Sequence, residues 1–331
     1  MYIPPFTVSA KSITLIAEIS ARIERYAILM EKSDSLLLRK INRIKTIQGS
    51  LAIEGNTLTE NQVTAILEGK HIIAPLREIQ EVRNAIKTYD RFLEWNPVSE
   101  KDLLTAHHLM MEGLIDEVGI YRHGGVGVFA GMQVIHLAPP ADRVHFLMQD
   151  LLEWLEKSED HPLVKSSVFH YEFEFIHPFA DGNGRIGRLW QTLILSAWKP
   201  VFTHLPIENM VYKHQAEYYQ ALNESTEKND SGVFIEFLLA VILESFETHE
   251  RIATPEVTPE VTPEVERLLS EFSRGESLSR QDLQKKLNLS DEKHFRQKYL
   301  QPALSAQVIE MTVPDKPNSK YQKYRRTGKK S

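Results

Sequence analysis

The chain contains no cysteine, which excludes disulfides, thiolate-bound zinc and a thiol nucleophile together. That absence assigns no compartment, because a disulfide-free protein can reside anywhere. Long hydrophobic runs are missing too: stretches such as FLLAVIL from Phe237 are far too short to span a bilayer. The opening MYIPPFTVSAKSITLIAEIS has no basic segment leading into an apolar core, so no signal peptide is expected. A soluble cytoplasmic protein without membrane contact is the expectation. Nor is there a large excess of charge: the net value of -6 is mild, and any nucleic-acid role has to come from a local patch. What is there is an ordinary globular composition, 42% hydrophobic and 25% charged, over 331 residues. That length allows a sizeable core and more than one domain.

The first hundred residues read as helices. Ile13, Ile16, Ile19, Ile23, Tyr26 and Met30 recur at three- and four-residue steps. Leu37, Ile41, Ile44 and Leu51 continue the period to a stop at EGN, residues 54–56. A new helix starts after Thr57 or Thr59 as N-cap, and others follow in REIQEVRNAIKTYDRFLEW and, after a Pro and a Ser cap, in SEKDLLTAHHLMMEGL. Between Gly119 and Pro140, glycines and β-branched residues flank a turn-like FAGMQ, which predicts a short hairpin. Helices resume at ADRVHFLMQDLLEWLEK and run through SGVFIEFLLAVILESFETHE.

The repeat TPEVTPEVTPEV, residues 254–265, puts proline at every fourth position, which prevents a stable helix and predicts an extended spacer. The expected domains are an N-terminal helical region (1–98), a core that holds the hairpin and further helices (99–250), the spacer (251–265) and a C-terminal unit (266–331). The last shows three short helical patterns, EVERLLSEFS, SLSRQDLQKKLNL and SDEKHFRQKYLQPAL, then a β-like pair, QVIEMTV and KYQKYRR. That is the layout of a winged helix. Its tail is locally basic, with Lys316, Lys320, Lys323, Arg325, Arg326, Lys329 and Lys330 interleaved with Tyr321 and Tyr324. Such a tail can meet phosphates or dock a protein.

The segment HPFADGNGRIGR, residues 177–188, contains a literal G-x-G-x-x-G in Gly182, Gly184 and Gly187. A dinucleotide fingerprint needs a strand before it, a helix after it and an acid about twenty residues on. VFHYEFEFI alternates like a strand, and Glu208 sits near the right offset. Against this reading, Pro178 and Phe179 replace the tight junction, and Phe169, Phe173 and Ile176 equally form a helical face. The segment carrying Glu208 is bracketed by prolines, and no strand–helix alternation follows. Read instead as helix, loop and second helix from near Asn183, the segment offers other parts. The GNG turn can form an anion nest at a helix N-terminus. Arg185 and Arg188, three apart, can clamp phosphate oxygens. Asp181 suits Mg²⁺ held against those phosphates, and His177 can take a proton from an attacking hydroxyl. Taken singly, each has a structural explanation: a helix cap, a turn, a surface ion pair. Phe179 reads as a core anchor and Gly187 as a close-packing position.

The segment resembles, without a mismatch, the H-P-F-x-D-G-N-G-R-x-x-R motif of the Fic family. GIYRHGGVGV, LAPP, LMQDLLEWL and EYYQAL extend the likeness over about residues 45–245. The resemblance implies a mainly α, Fic-type helical bundle with a small β-hairpin flap, joined here to a C-terminal winged-helix (α+β) domain. It implies transfer of AMP from ATP to a Ser, Thr or Tyr hydroxyl of a protein, with ATP as substrate and Mg²⁺ as cofactor. In that scheme His177 is the base and Asp181 the metal ligand. Gly182, Asn183 and Gly184 supply the nest, Arg185 and Arg188 bind the outer phosphates, and Tyr218 and Tyr219 form the base pocket. Val128, Phe129, Gln133, Val134 and Ile135 belong to the flap that aligns the target chain.

SLAIEGN, residues 50–56, resembles the family's inhibitory motif [S/T]-x-x-x-E-[G/N]. Glu54, with Ser50 one helical turn earlier, would then occupy Arg188 from an N-terminal helix spanning about 42–56. Competing readings are a DNA-binding regulator whose Fic domain senses nucleotide, and removal of AMP at the same site. A homodimer, and DNA or protein contact through the C-terminal domain, stay open at this stage.

Overall fold

The structure, a computed structural model, describes residues 2–30, 35–125, 127–130, 133–253, 263–272, 276–289, 291–305, 308–313 and 322–327, with backbone alone in the hairpin. The proline repeat at 254–262 lies outside the described residues, as do Lys316, Lys320, Tyr321, Lys329 and Lys330. The chain divides into two compact units, Met1–Ala253 and Thr254–Ser331.

Among the described residues, the regular elements of the first unit are helices apart from one hairpin. Its elements are α1 (Ala10–Met30), α2 (Ser35–Ile53), α3 (Glu60–Leu67), α4 (Leu76–Arg91) and α5 (Glu100–Met111), then β1 (Gly127–Ala130) and β2 (Gln133–Leu137). There follow α6 (Ala141–Lys157), α7 (Pro162–Ile176), α8 (Asn183–Trp198), α9 (Ile207–Lys213), α10 (Gln215–Lys228) and α11 (Gly232–Ala253). Local chemistry sets the ends. Gly55, at φ 89°, stops α2. Thr59, not Thr57, caps α3 in a reciprocal pair with Gln62, and Ser99 caps α5.

The apolar periods find their partners unevenly. Ile19, Ile23, Tyr26 and Met30 are buried and α1 packs along α11, whereas Ile13 is exposed. On α2, Ile44, Ile47 and Leu51 enter the core while Leu37 and Ile41 stay outside. VFHYEFEFI is helix, not strand. Helix α7 is enclosed all round, so His170, Glu172 and Glu174 are buried together with Phe169 and Phe173. In a helix with no wet face, alternating polarity no longer marks a strand.

The second unit holds α12 (Pro263–Ser270), β3 (Ser277–Ser279) and α13 (Arg280–Lys286). A longer helix follows, with α14 (Glu292–Phe295), a π turn over Arg296–Leu300 and α15 (Gln301–Ser305). It ends in β4 (Ile309–Met311) and β5 (Lys323–Arg326). The sheet is antiparallel in the order β3-β5-β4. The expected pair is therefore joined by a third strand, in residues whose pattern reads as helix. Ser279 closes that strand and caps α13 in a box with Asp282, which is why the helix starts late. Leu268, Leu283, Phe295, Ile309 and Tyr324 form this unit's own core.

Candidate active site

Helices α7 and α8 pack side by side, and the loop between them carries the glycine-rich segment. His177 ends α7 in the left-handed region, φ 50° and ψ 61°. That backbone is uncommon for a residue with a Cβ, so the surroundings have to hold it. Arg122 does much of this. Its backbone N–H donates to the Pro178 carbonyl at 2.9 Å, and its guanidinium donates to the carbonyls of His177 (2.8 Å), Pro139 (2.6 Å) and Gly124 (2.8 Å). Asn183 closes the loop from the other end. Its side chain accepts from the Phe179 N–H and donates to the Phe179 carbonyl, both at 2.9 Å. Phe179 is fully buried and stacks on His107 with centroids 3.7 Å apart, the core anchor its chemistry suggests.

His107 has a determined tautomer. Its Nδ1 accepts the Gly119 N–H at 2.9 Å, so Nε2 carries the proton and donates to the Asp181 carbonyl at 3.0 Å. Burial lowers its pKa to about 4, keeping the ring neutral. For His177, Nδ1 lies 3.4 Å from the Glu174 carbonyl. That contact favours the Nδ1–H tautomer and leaves the Nε2 lone pair as the basic one.

Gly182 is the N-cap of α8, at φ 86°, with no side-chain cap. The first N–H groups of the helix, those of Asn183, Gly184 and Arg185, lack intrahelical acceptors. They form the nest that the glycines suggest. A Cβ on Gly182 would sit 2.6 Å from the Met111 sulfur, so both its conformation and its surroundings require glycine.

The charged groups around the nest are paired. Asp181 takes the Gly182 N–H at 2.6 Å, binds Arg185 at 3.0 Å and lies 3.6 Å from Arg77. Arg185 also approaches Glu81 at 3.9 Å. Arg188 is buried, and its hydrogen-bond partners come from the end of α2 and the residue that follows it. Its guanidinium reaches Glu54 Oε1 at 2.6 Å, the Ser50 carbonyl at 3.0 Å and the Ser50 hydroxyl at 3.4 Å. Burial opposes its charge most strongly, but Glu54, Tyr218 and Glu174 together outweigh burial and hold the guanidinium above its ordinary pKa. Room for this ion pair exists because position 184 is glycine. A Cβ there would stand 2.3 Å from Glu54 Oε1 and 2.9 Å from Arg188 Nη1.

Behind Arg188 lies a second carboxyl. Glu174 is buried, its Oε1 has no hydrogen-bond partner, and it lies 3.8 Å from His170. Burial pushes its pKa to about 8 against the pull of Arg188, with Glu54 adding to the rise. A Cβ on Gly187 would come within 2.8 Å of that oxygen, so this glycine is a close-packing position. The tyrosine pair divides. Tyr218 is buried and bonded to His170 Nε2 at 3.1 Å, while Tyr219 is only half-buried. The hairpin pairs Val128 with His136, Phe129 with Val134 and Ala130 with Gln133, with an irregularity between Val128 and Phe129 that leaves Ile135 out of register.

The structure thus gathers His177, Asp181, Gly182, Asn183, Gly184, Arg185 and Arg188 with Ser50 and Glu54. Sequence reasoning missed Arg122, Arg77, Glu81, His107 and Glu174. Arg122 stands inside GIYRHGGVGV, but nothing in a sequence reveals that one guanidinium spans carbonyls from two segments.

The Fic/DOC family matches residues 97–195, and the family described as Filamentation induced by cAMP protein Fic-like, C-terminal domain, matches 263–327. A crystal structure of a Fic family protein from Desulfovibrio desulfuricans G20 is 50% identical over the whole of both chains, with a TM-score of 0.74. The chain belongs to the Fic family. Among curated Fic relatives, protein adenylyltransferase fic-1 of Caenorhabditis elegans is 33% identical, across 53% of this chain and 35% of its own length. Protein adenylyltransferase Fic of Culex quinquefasciatus is 30% identical, across 59% and 39%. This Fic chain spans little more than a third of the length of those relatives. Among the described residues, no helix is long and apolar enough to cross a membrane.

Proposed function

We propose that the chain transfers AMP from ATP to a hydroxyl side chain of a protein, itself included, and that Glu54 keeps this activity low. The observation that carries the reading is the Glu54–Arg188 pair at 2.6 Å, beside a histidine held at the mouth of an anion nest. The adenylyltransferase names of the relatives agree with it.

His177 Nε2 takes the proton of the target hydroxyl as its oxygen attacks the α-phosphorus. The α8 N–H groups and Arg185 stabilise charge on the phosphates, and pyrophosphate leaves with its bridging oxygen. Arg188 receives the outermost phosphate once Glu54 withdraws. With Glu54 in place the nucleotide binds out of line, and misplacement by about 1 Å can cost roughly 10²-fold in rate. The half-buried ring of Tyr219 borders the adenine, with Tyr218 behind it. The strand edges of β1 and β2, which carry no third strand among the described residues, pair with the target backbone.

Mg²⁺ fits Asp181. This is one hard carboxylate, 41% exposed, next to a phosphate nest, and Mg²⁺ is commonly held by one carboxylate plus substrate phosphates. When bound it would offset phosphate charge, and Arg77 and Arg185 would have to release that carboxylate.

The unit Thr254–Ser331 is read as a winged helix, a reading supported by its antiparallel sheet and helices.

Incubation with labelled ATP tests the activity. Glu54→Gly is expected to raise self-modification and His177→Ala to abolish it. An unmodified Glu54→Gly chain would remove the adenylyltransferase reading.

A further inference from the structure

A cavity of about 540 Å³ opens along α2, on the N-terminal side of Ser50. That size is typical of small-molecule sites. Three cationic side chains of α2, Arg39, Lys40 and Arg43, line it, together with Thr46 one turn before Ser50. Leu67, Phe92 and Leu93 supply apolar wall, and Tyr89 and Thr192 the polar floor.

The cations are only partly satisfied. Lys40 is bound by Glu68, which Lys70 shares. Arg39 gives one Nη to the Met30 carbonyl and Arg43 one Nη to Asp90, and the Nε of each has no partner. A guanidinium carries five N–H donors, so both keep donors to spare. Arg39 and Arg43 stand four apart, on one face of α2. Two guanidinium groups lining one cavity suit a phosphate, whose several oxygens can accept from both at once, while Glu68 and Asp90 of the same lining hold Lys40 and one nitrogen of Arg43.

The floor connects this cavity to the inhibitory contact. Thr192 lies one turn beyond Arg188 on α8. Its hydroxyl donates to Glu208 Oε1 at 2.9 Å, and the Tyr89 hydroxyl donates to the same oxygen at 3.3 Å. Glu208 belongs to α9, against which α2 is pressed at Gly49. A Cβ on that glycine would lie 2.6 Å from Asn209 Cα and 2.9 Å from the Glu208 carbonyl carbon. The cavity is therefore walled by the helix that carries Ser50 and leads into Glu54, and by the residues that seat it.

We propose that this cavity binds a small organic phosphate, one phosphate group on a body of nucleoside or sugar size, held by Arg39 and Arg43 against α2. A ligand so placed bridges α2 to α4 and α8, and it stabilises the arrangement in which Glu54 holds Arg188. The effect on rate rests on the adenylyltransferase reading; the binding does not.

Titration calorimetry of the full chain with AMP and with glucose 6-phosphate tests the site, with inorganic phosphate as the control for a bare anion. At least one organic phosphate is expected to saturate a site at one per chain. Arg43→Gln and Arg39→Gln are each expected to weaken it about tenfold, the loss of one charge-assisted contact. Arg185→Ala, which alters the nest instead, leaves it unchanged. For AMP, which can also enter the nest, the cavity site is the one that survives Arg185→Ala. On the unmutated chain, binding is expected to slow amide exchange across α2, a readout that needs no variant to fold. The proposal is overturned if neither organic phosphate saturates by ~10 mM, a range in which binding is worth little. It is equally overturned if the site is lost with Arg185 and kept without Arg43, or if α2 exchange does not change. AMP binding alone identifies a nucleotide site, and glucose 6-phosphate binding a sugar-phosphate site. Either ligand is expected to lower self-modification of an active chain, but the binding and exchange results stand whatever the chain's activity.

Discussion

Glu54 and Arg188, separated by 134 residues in sequence, meet at 2.6 Å, and the arginine is buried. The carboxylate keeps its side chain 32% exposed while its partner is enclosed. Breaking this pair leaves a buried charge to be satisfied.

Ser50 contributes through its backbone more than through its hydroxyl. The carbonyl accepts from Arg188 at 3.0 Å and the hydroxyl at 3.4 Å. Ser50→Ala is therefore expected to keep self-modification within about threefold of the parent, since a long hydrogen bond is worth well under about 1 kcal/mol. Glu54→Gln, which removes the charge and keeps the shape, is expected to raise it by about tenfold or more. Initial rates with labelled ATP compare the two, and equal effects would contradict this division.

Gly187→Ala is expected to destabilise the first unit by about 1–3 kcal/mol, the usual cost of overpacking. The added carbon would stand 2.8 Å from Glu174 Oε1 and 3.2 Å from the Phe173 ring. Urea unfolding measures it, and a neutral result would show that α7 can yield.

Asn183→Ala removes both hydrogen bonds that tie Phe179 to the start of α8. It leaves a buried N–H and a buried carbonyl unpaired, which predicts a loss of about 1–3 kcal/mol. The loop that positions His177 loosens with it. In a Glu54→Gly background, kcat is expected to fall further than KM rises.

Burial holds Glu208 at about 7 and Glu174 at about 8, both above the ordinary carboxyl value of 4.5. Between pH 4.5 and 7 the folded chain keeps these protons and the unfolded chain loses them, so stability falls as pH rises. The slope is about 1.4 kcal/mol per pH unit for each such group. Glu208→Gln keeps an acceptor for Thr192 and Tyr89 and has no proton to lose. It is expected to flatten the pH dependence of Tm between about 5 and 7 and to raise Tm at pH 8. An unchanged slope would show that Glu208 does not titrate there.

Much of the site was legible before any fold was known, because its working parts lie within twelve residues and each has a fixed chemistry. A histidine, an acid, a glycine turn and two arginines are residue types suited to a phosphate at a helix N-terminus. The third strand was not legible. Three residues, Ser277–Ser279, pair with β5 across more than forty positions, and their local pattern continues into a helix. The tyrosine pair shows the same limit. Adjacent side chains on a helix point in different directions, and only packing put Tyr218 in the core and left Tyr219 half outside.

The sequence by itself determined the chemistry of the nest, the helical architecture and the presence of a short inhibitory-type motif. Glycine conformations, capping residues and charge are local properties, carried by neighbours along the chain. Only the tertiary structure decided that Glu54 reaches Arg188 rather than solvent, that Gly184 leaves the space for it, and that Glu174 is buried behind the pair. Those outcomes depend on the packing of α2, α7 and α8 together. The free energy of a buried charge is set by what surrounds it in space, whatever separates the residues along the chain.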